Sequence, residues 1–440
     1  MRALPALLLA LLLLAGCGTP GGDSSDNAEK AEQADRDARK VDVAKAGPVT
    51  LTVWDQEVRG GQRRQIERLN AAFQERYPNV TIKRVAKSTT DLNTTLKLAV
   101  SGDRAPDVVQ ANQGRPVMGQ LVKGGLLRPM DGYAEAYGWA DRYAPVLLDL
   151  NRFSPDGQTF GDANLYGISQ MGEIVGVYYN RDLVKETPKT FGEFEQQLAS
   201  AKGTPISFGN LDGWPGIHEY QAVLNAYAPA GEIRDFVFAR DGATFPNGGT
   251  AEKLQEWANK GYFTKNFNGV GYDPAWQQFA DGAGPFLIAG TWLLADLSDA
   301  MGDKLGFMLV PPEQSGGPPQ ALGGESLPFA ITSKSENPDV AAAYIDFLTN
   351  ADAARVLVET GNLPAMPTDA TPQGAAAEDI FKAWSDLAEA DGLVPYLDYA
   401  TPTFYDDITA AVQRLLADRT SPDDFASGLQ DDYETFTGSL

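Results

Sequence analysis

The sequence predicts an α/β protein built from two lobes with helical additions. Its 440 residues are enough for two domains with separate hydrophobic cores. Short apolar segments alternate along the chain with amphipathic helices of the length that connects parallel strands in βαβ units. A hydrophobic content of 43% with 22% charged residues is typical of globular proteins and excludes disorder of the whole chain.

The first part of the folded body shows this alternation most clearly. Residues 50–54 (TLTVW) are rich in β-branched side chains, and Ile66, Leu69 and Phe73 then recur at helical spacing. Strands are predicted over residues 50–54, 80–85 and 107–110, with helices over 62–77 and 91–101 between them. This order predicts parallel βαβ units.

The rest of the chain adds a second set of strands and helices. Thr190 and Glu193 have the spacing of a capping box that opens a helix. Asn337 and Pro338 precede a regular apolar stripe that also indicates a helix. Strands are predicted over residues 173–179, 286–289, 307–310 and 327–331, and helices over 190–198, 251–260, 274–279, 338–348 and 408–416.

Residues 284–297 (GPFLIAGTWLLADL) form the most informative stretch of the sequence. The apolar run 286–289 suits a buried strand, Gly290 interrupts it, and a new apolar period follows. The stretch therefore predicts a strand, a tight turn and a helix, with the indole of Trp292 at the turn. Ligands bind at the carboxyl ends of strands in open α/β sheets, so Trp292 is a candidate binding residue.

The amino terminus has the features of an export signal followed by a lipid attachment site. Residues 3–14 are apolar but too few to span a bilayer, and we assign residues 1–16 to a signal peptide. Residues 14–17 (LAGC) resemble the lipobox of bacterial lipoproteins, which makes Cys17 the expected lipidation site. Residues 17–48 contain almost no large apolar side chains, so we expect a lipidated, flexible tether; a helix over 28–43 is the alternative.

The charge and the rare residues exclude several classes of function. The net charge of −23 argues against binding to nucleic acid or to anionic lipid, because both require a basic surface. His218 is the only histidine and is expected at the surface or the rim of a cleft, and Cys17 is the only cysteine. No metal site and no cofactor are therefore expected, and no Walker motif indicates ATP hydrolysis by this chain.

Five sequence blocks, in order, resemble the extracellular solute-binding proteins of carbohydrate ABC transporters, the group that includes maltose-binding protein. They are LTVW with FQERYPNVTI, SGDRAPDVVQANQG with LVKGGLLRPM, YGISQMGEIVGVYYNRDLVKETPKTFGEF, AGTWLLADL, and LGGESLPFAITSKSENPDVAAAYIDFLT. The resemblance covers residues 50–420. It implies two doubly wound lobes of the periplasmic-binding-protein type, which close around a ligand by hinge motion.

The resemblance also implies lobe boundaries. The N-terminal lobe is expected to comprise residues 49–170 and 327–362, and the C-terminal lobe residues 171–326 and 363–440. Crossings between the lobes are expected near residues 169–173, 323–329 and 362–365. Glycines in the second crossing, and Gly361 beside the third, suit segments that must change their backbone angles.

The candidate sugar-binding residues combine planar polar side chains with flat aromatic ones. Polar groups can bond to the hydroxyls of a sugar, and aromatic rings can stack on its C–H faces. Glu173 is assigned because it aligns with a ligand carboxylate of the family. The full set is Trp54, Asp55, Gln56, Glu57, Gln110, Asn112, Gln113, Glu173, Asp212, Trp214, Trp292, Gly324, Glu325, Tyr399 and Tyr405.

The sequence leaves the ligand open. The loop at residues 110–113 (QANQ) differs from the aromatic and acidic run of maltose-binding protein, so maltose specificity does not carry over. A polyol or a glycerophosphodiester is the closest alternative ligand. An exported glycoside hydrolase, with a pair of carboxylates across a cleft, and a ligand-presenting sensor are alternatives of other classes.

The resulting hypothesis is a non-enzymatic, lipid-anchored binding subunit of an ABC importer. It would capture a carbohydrate, expected to be an oligosaccharide, and deliver it to the transmembrane subunits of a permease. A monomer on the outer face of the cell membrane is expected. The long tether and the Ala-, Gly-, Asp- and Arg-rich composition suggest a Gram-positive bacterium with a high-GC genome.

Overall fold

The computed structural model describes residues 24–440, so the predicted signal peptide and Cys17 lie outside the described residues. The strands are β1 Val49–Asp55, β2 Val80–Ala86, β3 Val108–Gln110, β4 Arg152–Phe153, β5 Asn164–Leu165, β6 Gly172–Asn180, β7 Phe286–Gly290, β8 Leu305–Met308, β9 Ala321–Glu325, β10 Phe329–Ile331 and β11 Leu393–Val394. The elements predicted from sequence periodicity are all present, with ends shifted by a few residues.

Helices flank the strands throughout this part of the chain. Thr190 caps the seventh helix as predicted, because its hydroxyl accepts a hydrogen bond of 3.2 Å from the backbone N–H of Glu193. The helices are α1 Ser24–Asp37, α2 Gly60–Arg76, α3 Thr89–Ser101, α4 Gln120–Lys123, α5 Asp131–Tyr137, α6 Pro145–Asp149, α7 Phe191–Ser200, α8 Trp214–Leu224, α9 Ala230–Val237, α10 Thr250–Asn259, α11 Tyr272–Ala280, α12 Leu294–Met301, α13 Pro338–Leu348, α14 Ala351–Glu359, α15 Ala375–Glu389, α16 Phe404–Leu416 and α17 Pro422–Thr437.

The strands form two main sheets. The first sheet has the order β10-β3-β1-β2, and its β1–β2 and β1–β3 pairs are parallel, as the βαβ pattern predicts. The second sheet has the order β11-β9-β6-β7, with β8 also paired to β6. Strand β6 is buried along its whole length and pairs antiparallel with β7, β8 and β9.

The three segments predicted as crossings lie side by side between the two sheets. Gly172 pairs with Glu325 where β6 meets β9, and isolated bridges join Ile168 to Phe329 and Met171 to Pro364. Gly323 has a φ of +146°, and a methyl group there would lie 2.2 Å from the carbonyl oxygen of Glu173. Only glycine allows this close approach of the two crossing strands.

The described part of the segment expected to be a flexible tether contains helix α1. Helix α1 docks on the body of the protein: the side-chain amide of Asn27 donates to the Lys123 carbonyl at 3.1 Å, and Arg128 donates to the Ala34 carbonyl at 3.2 Å. Ala31 and Ala38 are buried in the contact. The composition argument considered only large apolar side chains, whereas alanines and hydrogen bonds to backbone carbonyls hold this helix in place. A helix in this segment was the alternative that the sequence left open.

Within residues 24–440, no helix has both the length and the apolar character that a membrane span requires.

Candidate functional site

Trp292 lies at the end of strand β7, as the sequence predicts. Residues Thr291–Leu293 form a single 3₁₀ turn between β7 and helix α12, and the indole N–H donates a hydrogen bond of 2.8 Å to the hydroxyl of Tyr272. The indole folds back over Gly290, where an added methyl group would lie 1.9 Å from the ring. The glycine therefore creates the space that the indole occupies.

Two further rings join Trp292 in a compact aromatic cluster. Trp214 and His218 lie one turn apart on helix α8, with ring centroids 5.1 Å from each other. The Trp292 centroid is 6.2 Å from Trp214 and 5.7 Å from His218. All three rings are half-buried. We call Trp214, His218 and Trp292 the aromatic patch.

The imidazole of His218 is neutral within this patch. Burial lowers its pKa to about 3, because the surrounding rings give little solvation to a charged imidazolium. A neutral imidazole keeps one donor and one acceptor nitrogen, which suits bonding to hydroxyl groups. The sequence placed His218 at the surface or a cleft rim, but it lies at the centre of the patch.

A carboxyl group adjoins the patch at the crossing segments. Glu173 is only 8% exposed, and its Oε1 accepts a hydrogen bond of 2.8 Å from the hydroxyl of Tyr396. The Tyr396 ring lies 5.2 Å from His218, which links the carboxyl group to the patch. Burial raises the pKa of Glu173 to about 7. This arrangement can accept or donate hydrogen bonds at neutral pH.

The loop after β3 reaches the opposite side of the site. The hydroxyl of Tyr399 lies 3.3 Å from Asn112 Oδ1 and 3.2 Å from Gln113 Oε1. Gln113 is buried and donates to the carbonyls of Glu325 and Ser326, both at 3.0 Å. Gln113 thus anchors the loop to a crossing segment, while half-buried Asn112 remains a candidate ligand contact.

Gln110 and Glu57, both assigned as ligand contacts from the sequence, are bonded to each other in this fold. Both side chains are buried, and Gln110 donates to Glu57 Oε1 at 2.7 Å and to the Leu327 carbonyl at 3.1 Å. Burial raises the pKa of Glu57 to about 7. Gln56 is half-buried beside this pair, and its backbone N–H donates to Gln110 Oε1 at 2.8 Å. Of these three residues, only Gln56 has side-chain surface left for a ligand.

Asp55 and Trp54 also have structural partners. The Asp55 carboxylate is fully buried and accepts two hydrogen bonds from Arg84, at 2.7 and 2.6 Å. No part of this side chain is accessible in the structure, so its assignment as a ligand contact stays a prediction that this ion pair does not support. The half-buried Trp54 ring has the ammonium group of Lys87 4.7 Å from its centroid. That cation covers one of the two faces of the ring.

Two of the predicted residues lie beneath the site rather than in it. Gly324 is buried in β9 opposite Glu173, and a methyl group there would lie 2.7 Å from Leu150. Glu325 is 1% exposed and accepts a hydrogen bond from Asn151. Burial raises its pKa to about 8. Both are part of the packing of the crossings, and their assignment to ligand binding stays a prediction.

Asp212 and Tyr405 lie at the outer edge of the site. Asp212 is exposed just before helix α8, and one of its carboxylate oxygens accepts a hydrogen bond of 3.0 Å from the backbone N–H of Tyr272. Tyr405 is half-buried, and its pKa is raised to about 12 by burial, with the nearby charges of Asp398, Asp406 and Asp212 acting in the same direction. Both residues remain predictions as ligand contacts.

The arginines near the site are all engaged by other groups. Arg59 forms an ion pair of 2.5 Å with Asp273, and Arg84 binds Asp55. Arg115 is 2% exposed and donates to the carbonyls of Val237 and Ala400, at 2.8 and 2.7 Å. Burial lowers the pKa of this guanidinium to about 10, at which it stays charged at neutral pH. The positive charges of these arginines are thus compensated before any ligand arrives.

Sequence reasoning missed Tyr272 and Tyr396. Tyr272 holds the Trp292 indole, and Tyr396 holds Glu173. Neither residue follows a predicted strand, so the strand-end rule could not find them. The aromatic content of residues 396–405 was the only available signal. Within residues 24–440, no cluster of three or more His, Cys, Asp and Glu side chains has the arrangement of a metal site.

Comparison with known proteins now decides the family. The family model described as bacterial extracellular solute-binding protein matches residues 69–389. The chain belongs to the bacterial extracellular solute-binding proteins. The resemblance seen in the sequence is confirmed, and family membership makes this chain a binding protein rather than an enzyme.

Relatives of this solute-binding protein include one from Bacillus subtilis and one from Streptococcus pneumoniae. The maltodextrin-binding protein MdxE of Bacillus subtilis (strain 168) is 27% identical over 381 residues, which are 81% of each chain. A maltooligosaccharide ABC transporter solute-binding lipoprotein of Streptococcus pneumoniae serotype 4 is 25% identical over 377 residues, or 81% of this chain and 78% of the relative.

Solved structures confirm the two-lobed fold. A chitin oligosaccharide binding protein superposes with a TM-score of 0.76 at 22% identity, covering 89% of this chain and 99% of the other. The receptor GacH of Streptomyces glaucescens superposes with a TM-score of 0.68 at 17% identity, covering 89% and 99%. At these identities the likeness concerns the fold alone.

Proposed function

We propose that this solute-binding protein is the carbohydrate-binding subunit of an ABC importer and delivers its ligand to a membrane permease. The observation that carries the proposal is the aromatic patch beside Glu173, at the crossing segments between the two sheets. Flat rings stack on the apolar faces of a sugar, and a carboxyl group bonds its hydroxyls. The maltodextrin and maltooligosaccharide relatives support a saccharide as the ligand.

The lobe boundaries and the anchor form part of the same proposal. We assign residues 49–170 and 327–362 to one lobe and residues 171–326 and 363–440 to the other. The first sheet lies within the former and the second sheet within the latter. Lipidation of Cys17 would hold the protein at the outer face of the membrane. The relative from Streptococcus pneumoniae is named a lipoprotein, which supports this assignment.

A glycerophosphodiester is the less favoured ligand on electrostatic grounds. A phosphate group needs an uncommitted cation or several free N–H donors in its site. Arg59, Arg84 and Arg115 already bind a carboxylate or backbone carbonyls. Glu173 beside the patch would also repel an anion whenever it is ionised. A neutral sugar or polyol needs no uncommitted cation and is not repelled by Glu173.

The test is a thermal-shift screen of residues 18–440 against mono-, di- and trisaccharides, polyols and glycerophosphodiesters. A ligand at about 100 times its dissociation constant adds roughly 2.7 kcal/mol of stability. We expect a saccharide to stabilise the protein, to remain chemically intact, and to bind at least about 10-fold more weakly to Trp292→Ala.

Trp276→Ala is the matched control. Trp276 is half-buried like Trp292, but its indole N–H donates to Asp273 and its ring lies outside the patch. Equal loss of affinity in the two variants would contradict the assignment of the patch. Stabilisation by glycerophosphodiesters alone would contradict the carbohydrate proposal.

A further inference from the structure

The accessible aromatic surface of the site is small. Its centre consists of Trp214, His218 and Trp292, whose centroids form a triangle with sides of 5.1, 5.7 and 6.2 Å, and half-buried Tyr405 lies at its outer edge. The next rings along the cleft support this triangle from behind and add little surface of their own. They are Tyr272, Tyr396 and Tyr399, with exposures of 7%, 5% and 3%.

One end of the patch is closed by direct contact between the loop after β3 and the segment before α16. A methyl group on Gly114 would lie 2.5 Å from the Tyr399 side chain, so the two backbones are already at their closest approach. Arg115 then crosses the same boundary and donates to the Ala400 carbonyl at 2.7 Å. A sugar chain cannot pass between these segments while they are in contact.

The other end is closed by the start of helix α2. Arg59 pairs with Asp273 at 2.5 Å, and its guanidinium lies 5.5 Å from the centre of the Tyr272 ring. Behind it, a methyl group on Gly60 would lie 2.6 Å from the carboxylate of Asp296, and one on Gly61 would lie 2.6 Å from Ala295. The turn before α2 thus packs directly against α11 and α12.

We infer that this site binds a neutral saccharide of one or two sugar residues, and that a longer chain cannot place a third residue on the aromatic patch. This inference rests on the proposed function and deepens it. A pyranose ring is close in size to an aromatic ring, so three rings in a triangle provide stacking surface for one or two sugars. The contacts at Gly114 and Arg59 would prevent a third residue from continuing past the patch, so it would gain no further stacking surface.

The experiment is isothermal titration calorimetry of residues 18–440 with saccharides of one to five residues. Series built on glucose (α-1,4), xylose (β-1,4) and N-acetylglucosamine (β-1,4) serve as probes, with galactose and galactobiose added. In any series that binds, we expect the affinity to reach its maximum at one or two residues and to gain less than about 3-fold with each further residue.

A gain of about 10-fold or more for each of the third and fourth residues would overturn the inference and leave the carbohydrate function intact. Absence of binding by every saccharide would contradict the proposed function itself, and this inference with it. The two failures are thus distinguishable in one data set.

A variant pair tests the closed end directly. Arg59→Ala removes the ion pair with Asp273 and should tighten binding of the trisaccharide relative to the disaccharide by about 5-fold or more. Arg63→Ala is the control, because Arg63 is exposed on the same helix and pairs only with Glu67, one turn away. An equal change for both saccharides in Arg59→Ala would contradict a barrier at this end.

Discussion

Three buried carboxyl groups at the crossings should make the protein lose stability as the pH rises from 6 to 8. Glu57, Glu173 and Glu325 have pKa values of about 7, 7 and 8, raised from 4.5 mainly by burial. The folded state therefore binds more protons than the unfolded state above pH 4.5. Stability is fully present at lower pH and is lost as the pH passes through the folded-state pKa values.

The size of this effect follows from the same pKa values. Between pH 6 and 8, ionisation of a group with a pKa of about 7 lowers the stability by roughly 1–2 kcal/mol, and ionisation of a group with a pKa of about 8 lowers it by roughly 2 kcal/mol. The three groups are at most 8% exposed, so solvent does not screen the effect strongly. Independent titration of all three would give a loss of about 5 kcal/mol, which is a large fraction of the stability of a typical protein.

Urea unfolding of the ligand-free protein at pH 6, 7 and 8, followed by tryptophan fluorescence, measures this loss. We expect a falling midpoint with rising pH and a smaller fall in Glu325→Gln, which removes the group with the highest of the three pKa values. A midpoint that is constant from pH 6 to 8 would refute the assignment of raised pKa values. If the midpoint of Glu325→Gln fell with rising pH as steeply as that of the unmodified protein, the contribution of Glu325 to the pH dependence would be refuted.

Three other predictions concern Arg115, helix α1 and Trp54. Arg115→Met should destabilise the protein by about 2–4 kcal/mol in urea unfolding, because it leaves two buried carbonyls without donors, whereas exposed Arg63→Met should change stability by less than about 0.5 kcal/mol. A chain starting at residue 48 should melt several degrees below one starting at residue 24, with unchanged saccharide affinity; equal melting temperatures would contradict docking of α1. Trp54→Phe should leave saccharide affinity unchanged within about 2-fold, and a loss above about 10-fold would restore Trp54 to the site.

The sequence predicted the local features of the fold well. Residues 284–297 encode a strand, a turn and a helix in consecutive residues, so the position of Trp292 could be read without knowing its neighbours. The three segments predicted as crossings from the family blocks pair with one another in the fold. These features depend on short-range periodicity and glycine placement, which a single sequence contains.

The details of the site depend on contacts that no local pattern encodes. Asp55 follows a strand as a ligand residue would, but Arg84 on the neighbouring strand binds it, in a register that brings Asp55 opposite Ala86. His218 was isolated in the sequence and reaches the patch only because α8 packs beside β7. The strand-end rule finds positions near the cleft, but it cannot tell which side chains are already bonded within the protein.

The charges of this protein are arranged so that its acidic character does not extend into the site. The chain has a net charge of −23, yet burial raises the pKa of Glu173 to about 7, so that this carboxyl is only about half ionised near pH 7, and His218 is uncharged. Arg59 and Arg115 are bound to groups at the two ends of the patch. Recognition must therefore come from stacking and from hydrogen bonds to hydroxyl groups. A long-range field would attract charged solutes of many kinds, whereas short-range contacts select a ligand by its shape and hydroxyl pattern.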